Sequence, residues 1–138
     1  MSHNIIAAAF ESRLLAWAKA RVPKLKVVVE NETYTPATGE TYLRAYTLPA
    51  VTASNTLSGD HRVYAGVFQI NIVTASGKYR TEASGIVDEL AVLFPLNLRI
   101  PRAGLVALVM TPVAPGPGIP DGNTFTVPAS FQYRSDTN

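Results

Sequence analysis

The stretch from Arg62 to Thr74, RVYAGVFQINIVT, limits the fold more than any other part of the chain. Tyr64, Phe68, Ile70 and Ile72 fall on one side of an extended backbone, and Val67, Gln69, Asn71 and Val73 on the other, because successive strand side chains point to opposite faces. This predicts the longest strand of the chain, at the centre of a sheet. After Gly77 the period becomes helical, with Ala83, Ile86, Val87, Leu90 and Phe94 on one stripe and Glu82, Asp88 and Glu89 off it. Pro95 ends that helix, since it has no N–H to continue the ladder.

The same reading places an amphipathic helix from about Asn4 to Ala20, with Ile6, Phe10, Leu14, Trp17 and Ala18 at helical spacing and a stop before Pro23. Shorter strands are expected at Leu25 to Asn31, Thr41 to Thr47, Leu96 to Ile100, Leu105 to Thr111 and Thr124 to Tyr133. The order is helix, three strands, helix, two or three strands. It predicts an α+β fold: a mostly antiparallel sheet of about five to six strands with two helices packed on one face. Residues 1–138 are expected to form a single domain with mobile ends at 1–3 and 135–138. Two segments lack period. Leu48 to Gly59 is uncharged and reads as a loop or irregular edge. Pro112 to Gly122, PVAPGPGIPDG, carries four prolines and three glycines and reads as a semi-extended loop outside any element, a candidate contact arm.

With 138 residues the chain is long enough for one core, burying roughly 65–70% of its unfolded surface. Hydrophobic residues at 47% against 16% charged place it among folding chains rather than disordered ones. The lack of cysteine excludes disulfides and thiolate metal sites. The N-terminus has neither the basic residues nor the apolar length of a signal peptide, and no stretch reaches the roughly 20 apolar residues of a membrane span. Cytoplasmic synthesis is therefore the expectation. The net charge of +2 is small, but Arg13, Lys19, Arg21, Lys24 and Lys26 fall close together with no acid among them. They form either a patch facing DNA or an acidic neighbour, or a solvated helix end offsetting the negative pole of its dipole. The second is favoured, because no set of aromatic residues is interleaved to stack on bases, Trp17 standing alone among these cations.

No motif carries chemistry. In TASGKYRTEA, Thr74 to Ala83, a Walker loop would need G-x-x-x-x-G-K-[ST]; Ile72 stands where the first Gly belongs and Tyr79 replaces the hydroxyl. Gly77 there reads as a strand-to-helix turn. His3 and His61 lie far apart without ligand partners at metal spacing. Asp60 and His61 have no G-x-S-x-G nucleophile to serve. Glu30 and Glu32 share a strand face but border a turn where water keeps both ionised, and Asp88 and Glu89 read as a solvated helix face. No catalytic residue, metal or cofactor is expected.

The strand YAGVFQINIV (Tyr64 to Val73), the segment YLRAYTLPA (Tyr42 to Ala50) and the hinge GKYRTEASGIVDELAVLFP (Gly77 to Pro95) resemble the tail terminators, or tail completion proteins, of long-tailed lambda-type bacteriophages. In that family a strand of the form G-x-φ-Q-φ-x-φ turns into a helix ending Leu-Phe-Pro. Gly66, Val67, Gln69 and Ile70 match its first part, and Leu93, Phe94 and Pro95 its last. The resemblance covers about residues 4 to 134. It implies a non-enzymatic protein that caps the tail tube, ends its polymerisation and offers a surface for head attachment. The implied partners are copies of itself (a ring, hexameric in the assembled tail, monomeric in solution), the major tail tube protein and a head–tail neck protein. DNA would pass through the ring without sequence-specific binding, and no membrane is involved. The implied location is the host cytoplasm during assembly and then the head-proximal end of the virion tail. Open sheet edges would suit ring closure, since unpaired ladder groups can pair with a neighbour. Candidate assembly contacts are Val51, Asn55, Leu57, Pro115, Pro117, Ile119 and Asp121; the candidate charged surface is Arg13, Lys19 and Arg21. The alternatives are another neck or head-completion protein, a small enzyme using Asp60, His61 or the Glu30/Glu32 pair, and a nucleic-acid-binding module.

Overall fold

In chain order, helix α1 (Ser2–Ala20) is followed by strands β1 (Lys26–Val28), β2 (Tyr42–Pro49), β3 (Ala53–Ser54) and β4 (Arg62–Ala75), then by helix α2 (Arg80–Leu93). Strands β5 (Arg99–Arg102), β6 (Leu105–Val109), β7 (Ala114–Pro115), β8 (Ile119–Asp121) and β9 (Thr124–Asp136) complete this computed structural model. It describes residues 2–22, 24–30, 32–36, 39–50, 53–54, 62–75 and 80–136. Gly77, Asp60, His61 and the candidates Val51, Asn55 and Leu57 lie outside the described residues.

The alternating stretch is the sheet's spine. β4 pairs with β2 on one side and with β9 on the other, from Val63 opposite Asp136 to Ala75 opposite Thr124. The strand order is β1-β2-β4-β9-β6-β5, with β3 added to β4, and β7 and β8 added to β9. Only β1 and β2 run parallel among these pairings. The six-strand path and two helices give the α+β architecture the sequence predicts.

One face of the sheet carries the core. Leu43 and Ala45 of β2, Phe68, Ile70 and Ile72 of β4, Ala129, Phe131 and Tyr133 of β9, and Leu105, Ala107 and Val109 of β6 alternate inward. Ile6, Phe10, Leu14 and Ala18 of α1 and Ala83, Ile86, Val87 and Leu90 of α2 cover them. Phe10 sits at the centre, its ring 5.1–6.0 Å from those of Phe68, Phe94, Phe131 and Tyr133. Such tilted and edge-on contacts are the favoured aromatic geometry, each contributing about 0.5–1.5 kcal/mol beyond simple burial. A smaller cluster of Val28, Tyr42 and Val73, with Tyr34 against it, lies on the opposite face.

Several expectations are corrected. Leu48 and Pro49 extend β2 beyond Thr47, and within the segment read as a loop or irregular edge Ala53–Ser54 pairs with Val63 and Arg62. Leu96 and Asn97 form a turn, Asn97 at φ 69, so β5 starts at Arg99. Ala103 and Gly104, both at positive φ, make the two-residue turn from β5 to β6, as a primed hairpin turn requires. Pro112 to Gly122 is not outside the sheet: Ala114–Pro115 and Ile119–Asp121 pair with β9, and Val113 is buried. Its glycines serve close approach. A Cβ on Gly118 would run into the Phe125 ring, and one on Gly116 would lie 3.0 Å from Pro128 Cγ. Deleting the segment would strip β9 of those partners.

Gly66 shows why the strand needs its glycine. A Cβ there would lie 2.5 Å from the Leu48 carbonyl oxygen and 2.6 Å from the Tyr133 hydroxyl. The first is backbone of the neighbouring strand and the second a fully packed ring, so neither yields cheaply. Gly66→Ala is expected to destabilise the fold by about 2–3 kcal/mol, as overpacking does. Urea unfolding should show Tyr133→Phe recovering part of that loss in the double variant, because Leu48 still obstructs.

Candidate assembly surfaces

Helix α1 lies across the sheet and touches both ends of it, β1 and β2 on one side, β5 and β6 on the other. Its inward stripe leaves two flanks, each facing an opening. Along the first, Asn4, Ala7 and Glu11 line a cleft of about 310 Å³ that is closed by Glu30, Thr47 and Pro49. Along the second, Ser12, Arg13 and Trp17 line a wider groove of about 660 Å³ with Ile100, Pro101 and Arg102 opposite.

The first cleft is acidic. Burial pushes the Glu11 carboxyl above the usual carboxylate range, and the neighbouring Glu30 adds to the shift. Glu30 accepts a hydrogen bond from the Thr47 backbone N–H, an amide on the β1 side of β2. At the cleft's end His3 Nδ1 lies 2.8 Å from the Tyr133 hydroxyl, and its ring meets Tyr64 edge-on at 5.3 Å. Burial lowers the His3 pKa and raises that of Tyr133 to about 12, Glu30 contributing to the latter. Both shifts favour a neutral imidazole hydrogen-bonded to a neutral phenol.

The groove is basic, and its cations are held in place. Arg13 Nε donates to the Leu93 carbonyl at 2.7 Å. Leu93 ends α2, so the guanidinium satisfies one of the carbonyls a helix terminus leaves unpaired and meets the negative pole of its dipole. Arg102 Nη1 donates to Ser12 Oγ at 3.2 Å. Arg21 binds Glu89 through two contacts, Nε to Oε1 at 2.9 Å and Nη2 to Oε2 at 2.8 Å, and its guanidinium lies 5.8 Å from the Trp17 ring centre.

Of the predicted charged surface, then, Arg13 and Arg21 tie α1 to α2, while Lys19 stands exposed near the end of α1. Glu89, expected on a solvated face, is the partner of Arg21; Asp88 is exposed. Glu30 and Glu32 do not converge, since Glu32 lies 3.6 Å from Lys26 while Glu30 turns to Thr47. Pro115, Pro117, Ile119 and Asp121 lie along one sheet edge beside β9, with Ile119 exposed. That edge is blunted: β5, β7 and β8 each contain a proline, Pro101, Pro115 and Pro120. Proline offers no N–H to an added strand. Glu30 likewise occupies an amide on the opposite side of the sheet. At these positions an added strand would find no free backbone N–H. Sequence reasoning missed Glu11, Arg102 and the groove, because their meaning depends on which elements α1 crosses. No group of acids and histidines able to hold a metal occurs among the described residues.

The profile of a family described as Phage tail terminator protein matches residues 5–133. A solved structure carrying only a sequence label has a TM-score of 0.83 and 46% identity, covering 98% of this chain and 96% of that one. No curated protein matches the chain.

The Arg21–Glu89 clasp gives a pH test. Its hydrogen bond from Arg21 holds the Glu89 pKa below the usual range, so its stabilisation is present above the unfolded value of about 4.5 and is lost as pH falls through the folded value. The pair is half in water, so Glu89→Gln is expected to cost only about 0.5–1 kcal/mol at neutral pH. Thermal unfolding of variant and native protein should converge as pH falls through that folded value.

Proposed function

We propose that this chain, which belongs to the phage tail terminator family, caps the tail tube as a ring of subunits, ends its growth and presents the surface to which the head attaches. Membership in that family makes it a structural component of the phage tail. The finer reading is ours: a non-enzymatic cap whose partners are its own copies, the tail tube protein below and a neck protein above, with DNA passing through the opening. It would assemble in the host cytoplasm and reside at the head-proximal end of the tail. No helix among the described residues is long and apolar enough to cross a membrane.

The observation that supports this best is the family match over nearly the whole chain, on a fold that sets a proline in each of β5, β7 and β8 along one sheet edge. A cap has to stop growth, and a subunit offering a free ladder would template further addition. Contact through side chains on rigid elements avoids that. The edge from Pro115 through Ile119 is suited to meet the tube or neck: prolines limit the conformational entropy lost on contact, and Ile119 presents an exposed apolar side chain.

Phages lacking the protein are expected to make tails of abnormal length, visible by electron microscopy. Normal tails beside unjoined heads would instead assign it to head completion. Ile119→Asp should leave the melting temperature within about 2 °C of native, as an exposed substitution does, yet lower the fraction of tails of correct length at least tenfold in complementation. Correct lengths with that variant would remove the Pro/Gly edge from the contact surface.

A further inference from the structure

The acidic cleft and the basic groove lie on opposite flanks of the same helix and at opposite ends of the sheet. We propose that they are the two halves of one contact between copies of this chain: the groove of Arg13, Arg102 and Trp17 on one subunit receives the Glu11/Glu30 side of the next. This inference rests on the ring reading and names its surfaces.

A ring is built by a heterologous contact, in which two different patches of each subunit meet, one from either side of the molecule. The two flanks satisfy this geometrically, because α1 spans the inner face between β1–β2 and β5–β6. They also satisfy it in sign. Arg13 and Arg102 are fixed by Leu93 and Ser12, so their orientation is set before a partner arrives, which reduces the entropy lost on binding. Trp17, Leu93 and Ile100 supply a partly buried apolar floor. On the acidic side Glu30 is anchored by the Thr47 amide, and Glu11 is desolvated beside a like charge. Within one subunit that arrangement disfavours ionisation; a guanidinium entering the cleft would reverse the sign of the local field and favour it. Pro101, Pro115 and Pro120 remove donors from strand addition on one edge, and Glu30 takes the Thr47 amide beyond the end of β1 on the other, which favours side-chain contact as the route to closure.

The lack of native cysteine permits a direct test. Asn4 on the cleft and Arg102 on the groove are both exposed, so N4C/R102C carries one thiol on each proposed surface. Treating assembled tails with a short bismaleimide is expected to give a ladder of covalent oligomers ending at the closed ring, and neither single variant should give one. Dimers from R102C alone would show like surfaces meeting and overturn the proposal. So would tails of normal length with no ladder, or crosslinks running only to another tail protein, and in those cases the ring reading survives. Absence of any ring of native protein at tube ends would sink both. As a second arm, Arg102→Glu should weaken self-association at least tenfold, and adding Asn4→Lys should restore most of it. Because both positions are exposed, circular dichroism should show each variant folded; a folded double variant without rescue would count against the pairing.

Discussion

Phe10 has to lie among Phe68, Phe94 and Phe131, and most of the structure follows from that requirement. The rings come from α1, the central strand β4, the end of α2 and the closing strand β9, and all four are fully or nearly fully buried. Removing any one would leave a large cavity, the kind of loss that costs about 3–5 kcal/mol for Phe to Ala. The cluster therefore fixes where α1 crosses the sheet and where α2 must stop. Phe94 follows the last helical residue, keeps a backbone bond to Leu90 at 2.9 Å, and turns its ring inward just before Pro95 breaks the ladder. The Leu-Phe-Pro ending is thus a packing device with a terminator attached, and Arg13 completes it by binding the Leu93 carbonyl.

A second constraint acts at the other end of α1. Tyr133 packs against Gly66 of the neighbouring strand, where a side chain would collide with both it and the Leu48 carbonyl. His3 then closes over the phenol and meets Tyr64. The helix is pinned at its start by a neutral histidine–tyrosine pair, in its middle by Phe10, and at its end by the Arg21–Glu89 clasp. These three attachments keep its two flanks open at defined positions over opposite ends of the sheet.

The long strand, both helices and the inward stripe were legible because each is a periodic pattern sustained over many residues, and burial enforces the period. Ile6, Phe10, Leu14 and Ala18 are buried as the spacing requires, as are Phe68, Ile70 and Ile72. Legibility ended where geometry is set by distant partners. The prolines and glycines of 112–122 resemble a free loop in composition, yet they suit an outermost edge: proline where no N–H is needed, glycine where β9 side chains press close. Glu89 sits off the apolar stripe and so resembles a solvated acid; only the crossing of α1 brings Arg21 to it. The acidic and basic flanks were hidden for a similar reason. Glu11 and Arg13 are two positions apart in sequence, but the helix turns them to opposite sides, and Glu30 and Arg102 come from remote strands.

Blunt edges and charged flanks also bear on when such a protein assembles. Backbone pairing is indifferent to sequence, so a subunit with a free edge would add to itself or to any exposed strand without regard to place. Side-chain contact between the Glu11/Glu30 carboxylates and oriented guanidiniums is selective, but it involves desolvating both charges, and that loss offsets much of the Coulombic attraction. A contact so balanced is weak between two subunits alone and becomes effective when both are already held side by side, because the second interaction then proceeds at a high effective concentration. In our reading the tube end does that holding, so closure is coupled to the presence of the structure that is to be capped.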